Sequence, residues 1–250
     1  SASPTAFISL KDGMSTLIEA LVADVTRRGV VVKKSEPVKR VAQVANGYAV
    51  ELESGAAEMA EAVVVATPVH VASMLVEALD ESAARAIRGV MGTVSSATVF
   101  FGFERASVHH PLDATGFIVP RTGTEELVAS TWVSSKWDGR APDGRVLVRG
   151  FLGGAGREHT LEKSDQELST LALFELRKLL PISKSPLFSR VFRFDKASPQ
   201  PRVGHLVRAR ELREKLAVHD GLFVIGNGYD GVGIPSCIRA ATETAKKIVT

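Results

Sequence analysis

Apolar residues recur along the chain at two spacings, and the switch between them predicts the order of the elements. Residues 13–28 place Met14, Leu17, Ile18, Leu21, Val22 and Val25 at helical intervals, with Gly29 following as a C-terminal cap. Residues 30–32 read as a short strand. A meander follows: 38–45, an Asn46-Gly47 turn, 48–53, a Ser54-Gly55 turn, and 61–66. Asn-Gly between alternating segments is a strong hairpin signal, since both residues tolerate positive φ. Pro68 opens a helix to about Leu79, and residues 81–88 read as a second short one.

The middle of the chain is β-rich: 94–103, 116–119, 126–133 and 145–152 read as four strands separated by Gly, Pro and Asp clusters. Ser164-Asp165-Gln166-Glu167 is a capping box that opens a helix over 167–180, with Leu168, Leu171, Phe174 and Leu179 on one side and Pro181 as the stop. Residues 189–195 predict a strand, 207–216 a helix, and 222–225 a short, fully buried strand. That strand runs into Gly226-Asn227-Gly228-Tyr229-Asp230-Gly231 and a last helix from about Ile234 to Ile248. Hairpins mixed with strand–helix units predict an α+β (mixed α/β) fold, with at least one antiparallel sheet flanked by helices.

Composition narrows the classes. With 250 residues, 45% hydrophobic and 24% charged, the chain is an ordinary globular sequence that can bury a core. The longest apolar run, 62–66, is far below the roughly 18 residues of a membrane span. A single cysteine, Cys237, excludes an internal disulfide or a cysteine-clustered metal site, and a reducing cytoplasm is the simplest compartment. The net charge of +3 is scattered and predicts no nucleic-acid partner. The opening Ser1-Ala2-Ser3-Pro4 has neither an initiator Met nor a signal-peptide pattern, and reads as a tag remnant or a cut through a longer polypeptide.

Few residues carry chemistry by themselves. Gly226-x-Gly228-x-x-Gly231 sits between a strand and a helix, but no acidic residue follows at the spacing a ribose site needs. It reads as a dinucleotide fingerprint, as a tight turn for close helix packing, or as a turn against a cofactor cradled mainly elsewhere. The histidines form no metal-ligand spacing: His109-His110 is a turn before Pro111, and His205 is a loop histidine. No catalytic acid–base pair or nucleophile elbow is present, and no residue is assigned to catalysis or to a metal. Cys237 is either core packing or a reactive thiol. The cluster Arg190, Arg193, Lys196, Arg202, Arg208, Arg210 and Arg213 is either a solvated face paired with Glu211 and Glu214, or a site for an anionic substrate or an acidic lipid surface. Phe117, Trp132 and Phe151 lie in three predicted strands at positions that could face one cavity, as core or as an apolar slot for a flat ligand.

Several segments together carry a resemblance: Phe7-Ile8-Ser9-Leu10-Lys11-Asp12-Gly13-Met14, Ala62-Val63-Val64-Val65-Ala66-Thr67-Pro68, Gly116-Phe117-Ile118-Val119-Pro120, and Ser134-Ser135-Lys136-Trp137-Asp138-Gly139-Arg140-Ala141-Pro142. To these are added Phe151-Leu152-Gly153-Gly154, Val203-Gly204-His205, and the stretch from Gly226 to Ile238. The chain thereby resembles the C-terminal half of the oxygen-dependent protoporphyrinogen oxidase family, within the flavin-containing amine-oxidase superfamily.

The resemblance implies partial FAD-binding elements with a β-meander in 1–70, a substrate-binding domain in 71–205, and a return to a glutathione-reductase-like FAD-binding domain in 206–250. The N-terminal half of the protein, with its dinucleotide-binding motif, would be a missing partner. FAD is the implied cofactor. Val38 would turn its backbone toward the adenine, Leu206 would lie beside the isoalloxazine, and Gly231, Val232 and Gly233 would approach the flavin and its pyrophosphate. Ile118, Trp132 and Phe151 would line the porphyrinogen pocket. The implied reaction is oxidation of protoporphyrinogen IX to protoporphyrin IX with oxygen, in the cytoplasm or in peripheral contact with the inner membrane face. The alternatives are coproporphyrinogen III oxidation, another flavin amine oxidase, or a non-catalytic ligand-binding module.

Overall fold

A computed structural model describes residues 8–249. The opening Ser1-Ala2-Ser3-Pro4, and Phe7 of the first resembling segment, lie outside the described residues. The elements in chain order begin with α1 (Ser15–Arg27), β1 (Val38–Val44), β2 (Gly47–Leu52), β3 (Ala57–Ala60), β4 (Val63–Val65), α2 (Val69–Glu77) and α3 (Glu81–Val90). The middle holds β5 (Gly92–Glu104), β6 (Gly116–Ile118), β7 (Leu127–Trp132), α4 (Val133–Lys136), β8 (Arg145–Gly153) and α5 (Asp165–Leu179). The chain closes with β9 (Phe188–Gln200), α6 (His205–Leu216), β10 (Leu222–Val224) and α7 (Ile234–Val249). Two compact units divide it: the first takes the chain up to Lys33 together with Ser95–Phe194, the second takes Lys34–Val94 together with the chain from Asp195 onward.

The first unit is built on a five-stranded sheet in the order β6-β7-β8-β5-β9. Alternation along β5 sends Ala97, Val99, Phe101 and Phe103 to one face, where Val146, Val148 and Leu152 of β8 join them. α5 closes that face with Leu168, Ala172 and Leu176, all fully buried. Each such Leu or Phe stabilises the fold by about 1.5–3 kcal/mol relative to exposure. The capping box forms as expected: Ser164 Oγ accepts from Glu167 N–H at 3.3 Å, and Glu167 Oε2 accepts from Ser164 N–H at 2.8 Å. The buried stripe of α5, however, runs through Leu168, Ala172, Glu175 and Leu176. Phe174, expected on that stripe, lies off its i, i+4, i+7 rows and is exposed. Leu179, one turn after Glu175, is on those rows but ends the helix beside an open cavity and is exposed as well.

In the second unit, β1, β2 and β3 form an antiparallel meander, and β4 pairs in parallel with β10. The third meander strand is therefore Ala57–Ala60, not the expected 61–66. That segment leaves the meander, and its apolar triplet Val63-Val64-Val65 lies in register with Leu222, Phe223 and Val224. The hairpin turn falls one residue earlier than expected, at Ala45-Asn46, with Gly47 already in β2 at φ +114°. Gly47 is needed there for space as well, since a Cβ would lie 2.3 Å from the Ala60 carbonyl oxygen. Residues 30–32 form no strand, and Val31 is largely exposed. The strand expected at 222–225 is buried only at Leu222. The core gathers Val41, Tyr48, Val65, Ala72, Val76, Ile87, Val90, Leu212 and Leu216, and the Tyr48 hydroxyl donates to the Asp220 carbonyl at 2.6 Å.

Asp80 joins two parts of this unit. It caps α3 by accepting from Ala83 N–H at 2.9 Å, and its other oxygen meets His219 Nε2 at 2.8 Å, just ahead of β10. The His219 contact, with the Ala83 N–H second, holds the Asp80 carboxyl below the usual carboxylate range. A folded pKa below the unfolded value of about 3.9 means stability that is present above that pH and lost as pH falls through the folded pKa. Asp80→Ala is expected to cost about 1–2 kcal/mol, roughly 2–4 °C in thermal midpoint per kcal/mol, at neutral pH. The gap to the parent should close as melts are repeated at progressively lower pH. Equal midpoints at neutral pH would show that the cap and the bridge contribute nothing.

Candidate functional site

The eight positions expected at a cofactor or a substrate divide cleanly: Val38, Leu206, Gly231, Val232 and Gly233 are in the second unit, and Ile118, Trp132 and Phe151 are in the first. Each group is built by local geometry.

In the second unit, β4 and β10 run parallel, and the carboxyl ends of parallel strands are where α/β folds gather ligands. β4 runs out into Thr67-Pro68 and α2, while β10 runs out into the glycine turn and α7. The turn is held by Gly228 N–H on the Gly231 carbonyl at 2.8 Å and by Gly233 N–H on Asn227 Oδ1 at 2.9 Å. Gly228 has φ +100°, and a Cβ there would lie 2.4 Å from Met91 Sδ and 2.6 Å from Pro199 Cβ. The close-packing reading of this turn therefore holds at Gly228. At Gly231 and Val232 the backbone N–H groups donate to no described residue, just ahead of the α7 N-terminus, an arrangement suited to phosphate or other anionic oxygen. Near the same strand ends, Thr67 Oγ1, His70 Nδ1 and the Tyr229 hydroxyl are buried without a partner, and burial pushes the Tyr229 phenol up. Buried polar atoms are normally satisfied. Open amides beside unsatisfied polar atoms fit a polar, anionic cofactor.

Val38 begins β1, an outer strand of the meander, opposite Leu52 and next to a register shift before Arg40. Leu206 stands in the first turn of α6 with its side chain 79% exposed, after Gly204 at φ +80°. His205 opens that helix, its Nδ1 3.0 Å from the Val90 carbonyl, so the ring is occupied structurally. The basic cluster does not act as one patch. Arg193 binds Asp165 and the carbonyls of Leu161 and Lys163, Arg208 serves the carbonyls of Val90, Val203 and Arg202, and Arg213 pairs with Asp230. Neither Glu211 nor Glu214 takes part in an ion pair. Cys237 is half-buried in the first turn of α7.

In the first unit, strand parity separates residues that the sequence places together. Ile118, Ala129 and Phe151 lie in one cross-strand row, Phe151 opposite Thr98 of β5. Trp132 lies opposite Val148 and is buried in the core with α5. Trp132 and Phe117 thus share the helix-covered face, and Phe151 occupies the other. The expectation that Phe117, Trp132 and Phe151 face one cavity is corrected by this register, since a side chain one residue along a strand changes face. Phe117, Ile118 and Trp132 do line one cavity of about 560 Å³ at the β6 edge, with His110, Leu127 and Glu175. There the His110 ring packs 4.8 Å from Trp132, its Nδ1 accepting from Leu112 N–H at 3.0 Å. Glu175, which sequence reasoning passed over, is buried and accepts from Glu126 N–H at 2.9 Å and Leu127 N–H at 2.5 Å.

The uncovered face carries aromatic and cationic groups. Phe100 lies opposite Arg149, the Phe192 ring packs edge-on 5.6 Å from Phe100, and Phe188 fills the space left by Gly102. The Arg149 guanidinium stands 4.5 Å from the Phe151 ring and 5.5 Å from the Phe100 ring. Arg149 was legible in the alternation of β8, two residues from Phe151, but had no motif to mark it. Among the described residues no group of three His, Cys, Asp or Glu could hold a metal, and no helix is long and apolar enough to cross a membrane.

The model of the family described as flavin containing amine oxidoreductase matches residues 2–249. The chain is 33% identical over 243 residues to the coproporphyrinogen III oxidase of Bacillus subtilis (strain 168), covering 96% of this chain and 51% of the relative. It is 31% identical over 253 residues to the chloroplastic protoporphyrinogen oxidase 1 of Arabidopsis thaliana, covering 96% and 47%. A crystal structure from Exiguobacterium sp. 255-15, provisionally named a protoporphyrinogen oxidase, superposes with a TM-score of 0.85 at 28% identity, over 99% of this chain and 54% of that one. The chain spans about half the length of the relatives it matches.

Gly228→Ala is expected to destabilise the second unit by more than about 1 kcal/mol, because both the positive φ and the Met91 and Pro199 contacts exclude a Cβ. Gly55→Ala, at a turn with φ +88° but open space, isolates the cost of φ alone. Chemical denaturation of the two variants should therefore rank Gly228→Ala as the more damaging.

Proposed function

Since the chain belongs to the flavin containing amine oxidoreductase family, we propose that it forms part of an FAD-dependent porphyrinogen oxidase. The observation that carries this reading is the likeness to porphyrinogen oxidases across 96% of the chain, which includes both units. In this reading the second unit holds FAD. The N–H groups of Gly231 and Val232 bind its anionic oxygens, Gly233 lets the chain turn away beneath them, Val38 offers backbone to the adenine and Leu206 offers an apolar side chain to the ring system. When bound, FAD supplies the two-electron acceptor that no side chain of the chain can provide.

The first unit holds the porphyrinogen. Phe151 and Ile118 present flat apolar surface on the uncovered face, and Trp132 supports the sheet from behind. Their task is placement and exclusion of water, since hydride removal from a porphyrinogen asks for no nucleophile. In each cycle the macrocycle loses one hydride and one proton, and oxygen leaves as hydrogen peroxide carrying both. Protoporphyrinogen IX oxidation is the primary reading. Coproporphyrinogen III is the second, favoured by the 33% identity to the Bacillus subtilis enzyme. A dinucleotide-binding half of the same protein is the partner this reading requires, in the cytoplasm or in peripheral contact with a membrane.

The product of the intact gene, incubated with either porphyrinogen in air, should generate porphyrin fluorescence with matching peroxide. Silence with both, in protein that carries flavin, would overturn the reading. Phe151→Ala in that protein is expected to raise the KM for porphyrinogen about tenfold, with flavin content unchanged. An unmoved KM would remove Phe151 from the pocket. The 250-residue chain by itself should purify with well under one flavin per chain, as judged by visible absorbance.

A further inference from the structure

Five of the eleven phenylalanines, Phe100, Phe151, Phe188, Phe192 and, by strand parity with Phe192, Phe194, fall on the face of the first unit's sheet opposite α5. That face is an aromatic platform on which Phe188, Phe192 and Phe194 are exposed. Arg149 is set into it. Its side chain is half-buried between the rings of Phe100 and Phe151, and its Nε is shielded from solvent without an acceptor. No carboxylate or carbonyl of the described residues receives any of its donors. Of the other partly buried arginines of this unit, Arg105 is anchored to the carbonyls of Val108, His110 and Pro111, and Arg140 to Ser9 Oγ and the Leu10 carbonyl. Arg157 Nη1 is also buried without a partner, but no aromatic ring of the described residues is stacked on it. The one acid on the same face of β5, Glu104, is taken by Arg145 and Lys184.

An unpaired cation drawn out of water carries a desolvation cost, and two ring faces offset only part of it. That burial pushes the Arg149 guanidinium down from its ordinary value. What completes such a group is an anion that can take its planar fork of donors while an apolar body lies on the flanking rings. We infer that Arg149 binds a carboxylate of a flat, carboxylate-bearing macrocycle seated on Phe100 and Phe151. The identity of the ligand rests on the porphyrinogen reading above, where the acidic side chains of the tetrapyrrole are the carboxylates in question. Arg149 is a specificity residue of that surface: it selects acid over ester and takes no part in the hydride step.

The test uses the product of the intact gene and two stable probes, coproporphyrin III and its tetramethyl ester, titrated by fluorescence. Arg149→Met should weaken binding of the acid at least tenfold and leave the ester within twofold of the parent. Arg149→Lys, which keeps charge but not the fork, should fall between. Because Met fills the slot between the rings without a buried charge, the thermal midpoint of Arg149→Met should rise by a few degrees. Acid binding equal in Arg149→Met and parent overturns the assignment. So does a parallel loss of acid and ester with a lowered midpoint, which would make Arg149 structural. In both cases the parent still binds porphyrin, so the porphyrinogen reading survives; a parent that binds neither probe overturns both together.

Discussion

Within the five-stranded sheet each residue's surroundings are set by parity, because successive side chains leave a strand by opposite faces. On β8 the even positions Val146, Val148 and Leu152 enter the core under α5, and the odd positions Arg149 and Phe151 face away. The same rule on β5 sends Phe101 and Phe103 inward and Phe100 outward. One face is thereby used up in making the fold stable, and the other is released to carry aromatic rings and a cation that a core could not accept. A one-residue slip between β5 and β8 would exchange the two inventories, so stability and ligand surface are fixed by one register.

The second unit solves a different problem. Its parallel pair is only three residues long in each strand, too short to stand without packing. Support comes from Val65 and Leu222 in a core shared with α2, α3 and α6. The strand ends then hold two turns in place, one leading to α2 and one to α7. Gly228 is pressed against Met91 and Pro199, while three residues later the chain presents amides with nothing to bond. Tight packing at one glycine is what aims the open amides at the next.

Much of this was legible in the sequence. Helix α5 and its capping box, the four central strands and the turn before α7 follow from period, caps and glycine placement. The glycine turn was legible as a turn, and the resemblance supplied its use. What the sequence misplaced has physical causes. Ala57-Glu58-Met59-Ala60 is exposed over its first three residues and has no apolar alternation to announce it. The triplet Val63-Val64-Val65 reads the same whether its neighbour is antiparallel or parallel, so its partner, some 160 residues away, could not be foreseen. Trp132 and Phe151 were grouped by type, whereas their faces depend on the pairing of Trp132 with Val148 and of Ala129 with Phe151, which no residue type announces. The face of Arg149 was legible in the alternation of β8, but its role was not: an arginine on a strand is ordinarily solvated, and the two rings beside it make this one different.

Glu175 bears on how α5 can move. Its carboxylate takes the two amides that open β7, Glu126 N–H and Leu127 N–H, deep under the helix. The leucines of α5 would accept sliding or rotation by a turn, since one aliphatic surface is much like another. A carboxylate cannot be replaced so easily: displacement by one turn would bring Leu171 or Leu179 opposite two buried donors and leave them dry. A single acidic side chain therefore acts as a key in a slot, giving an otherwise greasy interface one permitted seating and holding the sheet behind the aromatic platform still.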